Sequence, residues 1–452
     1  MFKRVVLLFG LLFGSSAMAQ VPMSFADVVE PLMPSVVNIS TVNIEGSEEG
    51  AAALGSGFIV SEDGFIITNN HVIKDAQVIN VILSDNTVYE ASAIGFDNKT
   101  DIALLKITPS RLLIPVKFGD SDKIRVGDWV LAIGNPFGLG GSVSAGIVSA
   151  KSRDIESGPY DNFIQTDASI NQGSSGGPMF NMNGEVIGIN SALFTTSGAN
   201  QGVGFAIPIN ITSWVVEQLK DRGEVRRGWI GVRIQAVNDD IAKSVGLDKT
   251  FGVVVSGLTV DGSAQKAGVL VGDIILSIKG YNIDSGTVFS RLVAESEIGK
   301  KAKVEIWREG KKLILDVNIE EMPAESAAVD VVAKTEEESN VNTLQNDETF
   351  IDDLDLYVRE INKNTIVKYH LDDTAKGVVV TDVLPTSDAV NKGLVSGDII
   401  VKIDKKNVFN ADDVKAHVEE ARLENFRPVL LLVQSRGISH FVALKLPHGR
   451  TQ

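Results

Sequence analysis

The sequence predicts a mainly β protein, on three observations. Short runs rich in Val, Ile, Thr and Phe recur at close spacing between residues 36 and 190. Turn residues such as Glu62-Asp63-Gly64 and Asn183-Gly184 separate them, the pattern of an all-β sandwich or barrel. Downstream, one block of sequence occurs twice. Gly252-Val253-Val254-Val255 returns as Gly377-Val378-Val379-Val380, and Lys266-Ala267-Gly268-Val269-Leu270-Val271-Gly272-Asp273-Ile274-Ile275 returns as Asn391-Lys392-Gly393-Leu394-Val395-Ser396-Gly397-Asp398-Ile399-Ile400. Both pairs share one offset, which indicates a duplicated domain too long for a solenoid repeat.

In chain order, Ser24-Phe25-Ala26-Asp27 can cap a short helix, which Pro31 and Pro34 limit. Strands are expected at Val36 to Thr41, Gly57 to Val60, Phe65 to Thr68, Val78 to Leu83, Val88 to Phe96 and Ile102 to Ile107. More are expected at Trp129 to Ile133, Val143 to Ala150 and Val186 to Asn190. Ile211, Trp214, Val215 and Leu219 then mark one face of a helix ended by Gly223. Between the repeats, Glu321 to Glu348 is rich in Ala, Glu, Ser and Asn and reads as a flexible acidic linker.

The 452 residues suffice for about three domains. A net charge of -16 argues against general nucleic-acid binding, which needs basic surface. The absence of cysteine excludes disulfides, thiolate catalysis and cysteine metal sites. Five scattered histidines show no metal-ligand spacing, so no metal or other cofactor is expected. Residues 1–19 read as an export signal: Lys3 and Arg4, an apolar run from Val5 to Phe13, and the cleavage site Ala17-Met18-Ala19. The apolar run is shorter than the ~20 residues of a membrane span. A soluble protein exported to a bacterial periplasm is the expectation.

The chemistry centres on Asn171-Gln172-Gly173-Ser174-Ser175-Gly176-Gly177-Pro178. A glycine-flanked turn can present the Ser175 hydroxyl and aim neighbouring N–H groups at one point, as acyl transfer requires. An ordinary turn is the competing reading. His71 and Asp101 each sit at the edge of an expected strand, and the order His, Asp, Ser matches a known catalytic triad. An imidazole can take the serine proton and return it to the leaving amine. Asp101 would fix its tautomer, and the N–H groups of Gly173, Ser174 and Ser175 would form the oxyanion hole. A packed core histidine and a turn-capping aspartate stay open as alternatives.

The sequence resembles the HtrA (Do-like, DegP/DegQ) serine endoproteases over essentially the whole mature chain. The matching stretches include Gly55-Ser56-Gly57-Phe58-Ile59-Val60, Thr68-Asn69-Asn70-His71-Val72-Ile73 and Thr100-Asp101-Ile102-Ala103-Leu104-Leu105-Lys106-Ile107. Further matches are Ala132-Ile133-Gly134-Asn135-Pro136-Phe137-Gly138, Gln165-Thr166-Asp167-Ala168-Ser169-Ile170-Asn171 and Gly202-Val203-Gly204-Phe205-Ala206-Ile207-Pro208. The resemblance implies a trypsin-like double β-barrel over 20–225 and PDZ domains over 226–321 and 349–448, with the acidic linker at 322–348. It implies the triad His71, Asp101 and Ser175, with Ser174 standing where the family usually has Asn. Ile170 and Leu193 would line the specificity pocket and favour cleavage after small aliphatic residues, unless they are simply core. Such residues are exposed mainly in misfolded proteins.

In the first repeat, Gly228, Trp229, Ile230, Gly231 and Val232 match a carboxylate-binding loop for peptides with apolar C-termini, although a plain turn is the bland reading. Asp353-Leu354-Asp355-Leu356-Tyr357 stands in the comparable place of the second repeat, without the glycines. Gly138 to Ser142 corresponds to an activation loop and Ser152 to Asp161 to a sensor loop. The short Gly46 to Ala53 region leans toward the DegQ-like subgroup. A homotrimer, with larger cages possible, is implied. The competing function is a holdase-type chaperone or PDZ scaffold on a resting-inactive protease fold.

Overall fold

The structure is a computed structural model that describes residues 24–42, 52–135, 141–155, 157–158, 160–193, 202–323, 348–423 and 428–446. The export signal, the Gly46 to Gly50 stretch and nearly all of the acidic linker lie outside these residues. Two compact units form. One holds the chain to Arg153 together with Phe163–Gly223, and the other holds Asp154–Asn162 together with the chain from Glu224.

The first unit contains two seven-stranded barrels. In the first, β1 (Val36–Val42), β2 (Ala52–Ile59), β3 (Phe65–Asn69), β4 (Val78–Ile82), β5 (Val88–Glu90), β6 (Ser92–Asp97) and β7 (Ile102–Lys106) run in the order β5-β4-β1-β2-β3-β7-β6. Alternation places Val37, Ile39, Ile59, Ile66, Val81 and Leu105 inside. The single run expected over Val88 to Phe96 is two strands, because the chain changes partner: β5 and the Ala91 N–H pair with β4, and from Ser92 the chain pairs with β7.

The second barrel uses β8 (Lys117–Phe118), β9 (Trp129–Gly134), β10 (Ser142–Arg153), β11 (Phe163–Thr166), β12 (Pro178–Phe180), β13 (Glu185–Leu193) and β14 (Gly204–Pro208). Its order is β12-β9-β10-β11-β14-β13-β8, around Val130, Val148, Ile164, Met179 and Ile187. Two short helices, α1 (Ala26–Val29) and α2 (Asn70–Ile73), precede α3 (Ile209–Arg222). Helix α3 buries Ile211, Val215 and Leu219, and Gly223 ends it by donating its N–H to the Leu219 carbonyl.

The second unit contains the two repeats. The first is built from β15 (Gly228–Trp229), β16 (Val232–Ala236), α4 (Asp239–Ser244), β17 (Val253–Leu258), α5 (Ser263–Lys266), β18 (Ile274–Ile278), β19 (Tyr281–Asn282), α6 (Gly286–Ala294), β20 (Lys301–Arg308), β21 (Lys311–Asn318) and β22 (Glu320–Glu321). The second follows with β23 (Thr349–Ile351), β24 (Leu356–Glu360), α7 (Lys363–Tyr369), β25 (Val378–Val383), α8 (Asp388–Asn391), β26 (Ile399–Ile403), β27 (Lys406–Asn407), α9 (Ala411–Leu423), β28 (Val429–Ser435) and β29 (Ile438–Leu444). The sheets run β16-β17-β18-β20-β21 and β23-β24-β25-β26-β28-β29. Even the register repeats: Val253 pairs with Ile275 and Val378 with Ile400.

The repeats share an apolar core, in which Val254, Ile274 and Leu276 meet Leu432, Phe441 and Ala443. The Gln235 side chain accepts the Phe441 N–H at 2.7 Å and donates to the Phe441 carbonyl at 2.9 Å. Asp240 is paired with Lys392 and, at 3.6 Å, with Lys445. The Lys392 hydrogen bond holds the Asp240 carboxyl below the ordinary range, against the opposing effect of burial. A depressed carboxylate stabilises the fold above its unfolded pKa and loses that effect as pH falls through the folded value. The Tm of the repeats should therefore fall more steeply in wild type than in Asp240→Asn between about pH 5 and about pH 3. Parallel Tm profiles would disprove this. No helix among the described residues is long and apolar enough to cross a membrane.

Candidate active site

The first barrel supplies the histidine and the aspartate. His71 lies on α2, immediately after β3, and Asp101 immediately precedes β7. The Asp101 backbone is left-handed, with φ of 57°. Its carbonyl is held by the Asn69 side chain at 2.9 Å and the Asn70 N–H at 3.1 Å. That support keeps an uncommon backbone geometry in place and turns the carboxylate toward His71. Asp101 Oδ1 accepts the His71 backbone N–H at 2.9 Å, and Oδ2 lies 2.6 Å from Nδ1. A carboxylate accepts only, so Nδ1 carries the proton and Nε2 is left as the basic nitrogen.

The second barrel supplies the serines. Ser175 Oγ donates to the Ser191 carbonyl at 3.0 Å, and Ser191 Oγ donates to Asp101 Oδ2 at 3.3 Å. Ser191 thus joins both ends of the constellation. No hydrogen bond links Ser175 to His71 among the described residues, so the hydroxyl is turned onto Ser191 in this arrangement. A barrel-one residue shapes the serine loop. Ser56 donates its N–H to the Ser175 carbonyl at 2.8 Å and its hydroxyl to the Gly173 carbonyl at 2.7 Å. The Ser56 hydroxyl accepts the Asn135 N–H at 2.8 Å, and its carbonyl accepts the Thr68 hydroxyl at 2.7 Å. Gly176 passes so close that a Cβ would collide with the Ser56 carbonyl and the Thr68 hydroxyl.

Sequence reasoning missed Ser56 and Ser191. Ser56 stands between Gly55 and Gly57 and Ser191 follows Asn190, but neither pattern signals a role across the barrels.

The loop amides correct one expectation. The Ser174 N–H donates to the Asn171 carbonyl at 2.8 Å, so it is committed to the turn and not available to an oxyanion. The N–H groups of Gly173 and Ser175 meet no acceptor among the described residues. Ile170 is 1% exposed and belongs to the second barrel's core. It covers Gly204, where a Cβ would lie 2.9 Å from Ile170 Cδ1. Leu193 pairs with the same Gly204, but its side chain lies outside the described residues, as do 138–140 of the expected activation loop.

In the first repeat, Gly228 and Trp229 form β15, and Ile230 and Gly231 lead into β16 at Val232. The Ile230 carbonyl accepts the Ala264 N–H and the Gly231 carbonyl the Thr259 N–H, both at 2.9 Å. The N–H groups of Ile230 and Gly231 meet no acceptor among the described residues. The outer edge of β16 carries no strand among them, and α6 packs against β16. Val232, Ile234, Val288 and Leu292 are half-buried between the two.

Comparisons with known proteins place these features in one class. The trypsin-like peptidase domain family matches residues 55–189, and the PDZ domain family matches residues 228–319. The chain is thus a serine endoprotease of trypsin-like fold carrying PDZ architecture. A probable periplasmic serine endoprotease DegP-like from Brucella suis biovar 1 (strain 1330) is 46% identical over 88% of this chain and 74% of that relative. One from Pseudomonas putida (strain W619) is 40% identical over 98% of this chain and 96% of the relative. The HtrA-type protease AlgW, solved with a tripeptide, is 40% identical with a TM-score of 0.60, covering 67% of this chain and 99% of that one. The chain belongs to the DegP-like periplasmic serine endoproteases of the HtrA type.

Proposed function

We propose that Ser175, His71 and Asp101 hydrolyse peptide bonds in misfolded exported proteins, and that peptide bound at the first repeat controls them. The observation that carries this is the Asp101 carboxylate, which receives both His71 Nδ1 and Ser191 Oγ while Ser191 also holds Ser175. Rotation about the Ser175 Cα–Cβ bond frees the hydroxyl from Ser191 and turns it toward Nε2. His71 then takes the proton as Oγ attacks the carbonyl, and returns it to the leaving amine. Asp101 steadies the imidazolium. Gly173 and Ser175 N–H groups receive the oxyanion. By family resemblance Ile170 and Leu193 would give the cleavage pocket an aliphatic wall that favours small apolar residues, although Ile170 is packed into the barrel core in this arrangement. Protein substrates and a homo-oligomer built on a trimer fit the family, and the work needs no nucleotide.

Control is supported by the segment between β10 and β11. Buried Asp161 accepts the N–H groups of Ile155 at 3.2 Å and Ser157 at 2.8 Å, which closes that segment into a compact loop. Its Tyr160 stacks under the Arg227 guanidinium, 4.7 Å from the ring centre, and donates its hydroxyl to Met322 Sδ at 3.7 Å. Arg227 immediately precedes the carboxylate loop, so a peptide held there is one residue from the loop's anchor. Activation of this kind is a population shift and requires tighter peptide binding to the active state. Steady-state casein cleavage should rise as a peptide with an apolar C-terminus saturates the first repeat. A flat rate through saturation would refute control. The Ser175 hydroxyl turned onto Ser191 also favours a second reading, a chaperone at rest, for which Ser175→Ala would still suppress aggregation of unfolded protein.

A further inference from the structure

The two repeats differ at one edge. In the first, the outer edge of β16 carries no strand among the described residues. In the second, the equivalent edge of β24 is covered by β23, with Thr349 paired to Val358, Phe350 to Tyr357 and Ile351 to Leu356. Strand β23 runs antiparallel to β24 and packs against α9, the counterpart of α6. It therefore lies where a captured peptide would add as a strand. Ile351 sits at the loop end of the groove, where the last side chain of such a peptide would go. It is 2% exposed and shares its core cluster with Leu356, Val414 and Val418.

The loop end is built for a chain that continues. The Ile351 carbonyl accepts the Leu354 N–H at 3.1 Å, so a loop amide is satisfied by a neutral oxygen. Asp355 takes the left-handed position that Gly231 holds in the first repeat, with φ of 52° against 76°. Leu384 donates its N–H to the Asp355 carbonyl as Thr259 does to that of Gly231. Burial pushes the Asp353 carboxyl up although Arg422 opposes it, and Glu419, Asp352 and Asp355 push the same way as burial. A terminal carboxylate would meet Asp352, Asp353 and Asp355 there, with Arg422 already paired to Asp353.

We infer that Thr349-Phe350-Ile351 is a built-in, exchangeable ligand of the second groove, which is a site for internal apolar strands and not for chain termini. Only three residues hold it, and the chain before it reads in sequence as an acidic linker. A competitor's affinity falls in proportion to the fraction of molecules in which the strand is open. The preference for internal strands follows from the groove geometry and is independent of peptide control at the first repeat.

The test uses the full chain carrying Ser175→Ala, so that the probe is not cut. The probe is a fluorescent peptide of residues 345–351 with an amidated C-terminus, read by anisotropy. It lacks the carboxylate for the first repeat, so failure of the control proposed above would leave this result unchanged. Ile351→Asp should bind it at least about tenfold more tightly than the parent. Equal affinity would overturn the inference. Because Ile351→Asp removes a core side chain, Phe350→Cys with Tyr357→Cys serves as a second arm in this cysteine-free chain. Those rings pair at 4.7 Å between centroids. The reduced protein should bind saturating probe and the oxidised, locked protein should not. Identical binding by the reduced and oxidised forms would also overturn it.

Discussion

Replacing Ser175 with alanine is expected to lower kcat for casein by about 10^6-fold, the scale seen when a serine protease loses its nucleophile. The reason is local. Ser175 Oγ is joined to the Asp101–His71 pair through Ser191, and the Gly173 and Ser175 N–H groups meet no acceptor among the described residues. Alanine removes one hydrogen bond to the Ser191 carbonyl and adds no bulk, so the barrel should keep its Tm within a few degrees. Equal casein digestion by wild type and Ser175→Ala would remove Ser175 from the chemistry.

Asp101→Asn is expected to lower kcat by about 10^4-fold while leaving the fold intact. Asparagine tolerates the left-handed backbone of position 101, so the Asn69 and Asn70 hydrogen bonds to its carbonyl should persist. The side chain is another matter. Asp101 accepts from the His71 backbone, from Nδ1 and from Ser191 Oγ. An amide has one accepting oxygen, and its NH2 would face a donor. The imidazole would then move its proton to Nε2 and lose the base. Single-turnover cleavage measures this step, and a rate within tenfold of wild type would show that Asp101 does not set the tautomer.

What the sequence made legible was whatever has a local signature. The short strands, the helix ended by Gly223 and the duplicated block all follow from spacing, and the structure reproduces them. His71, Asp101 and Ser175 stand at strand edges among small or polar residues, and the structure brings the first two into direct contact and links the third to Asp101 through Ser191. The long-range features were not legible. Ser56 reaches the serine loop across the barrels, and nothing between Gly55 and Gly57 announces that. The Ser174 amide looked available because its acceptor, the Asn171 carbonyl, depends on how the turn closes. Strand β23 is three residues of ordinary apolar sequence, and only the sheet order shows which edge it covers. Gln235 likewise reads as a surface amide until Phe441 is opposite it.

The Ser56 clamp has a consequence for the life of the newly made chain. The cutting loop takes its shape from a residue more than a hundred positions upstream, in the other barrel. A copy in which only one barrel has folded therefore lacks the contacts that shape this loop.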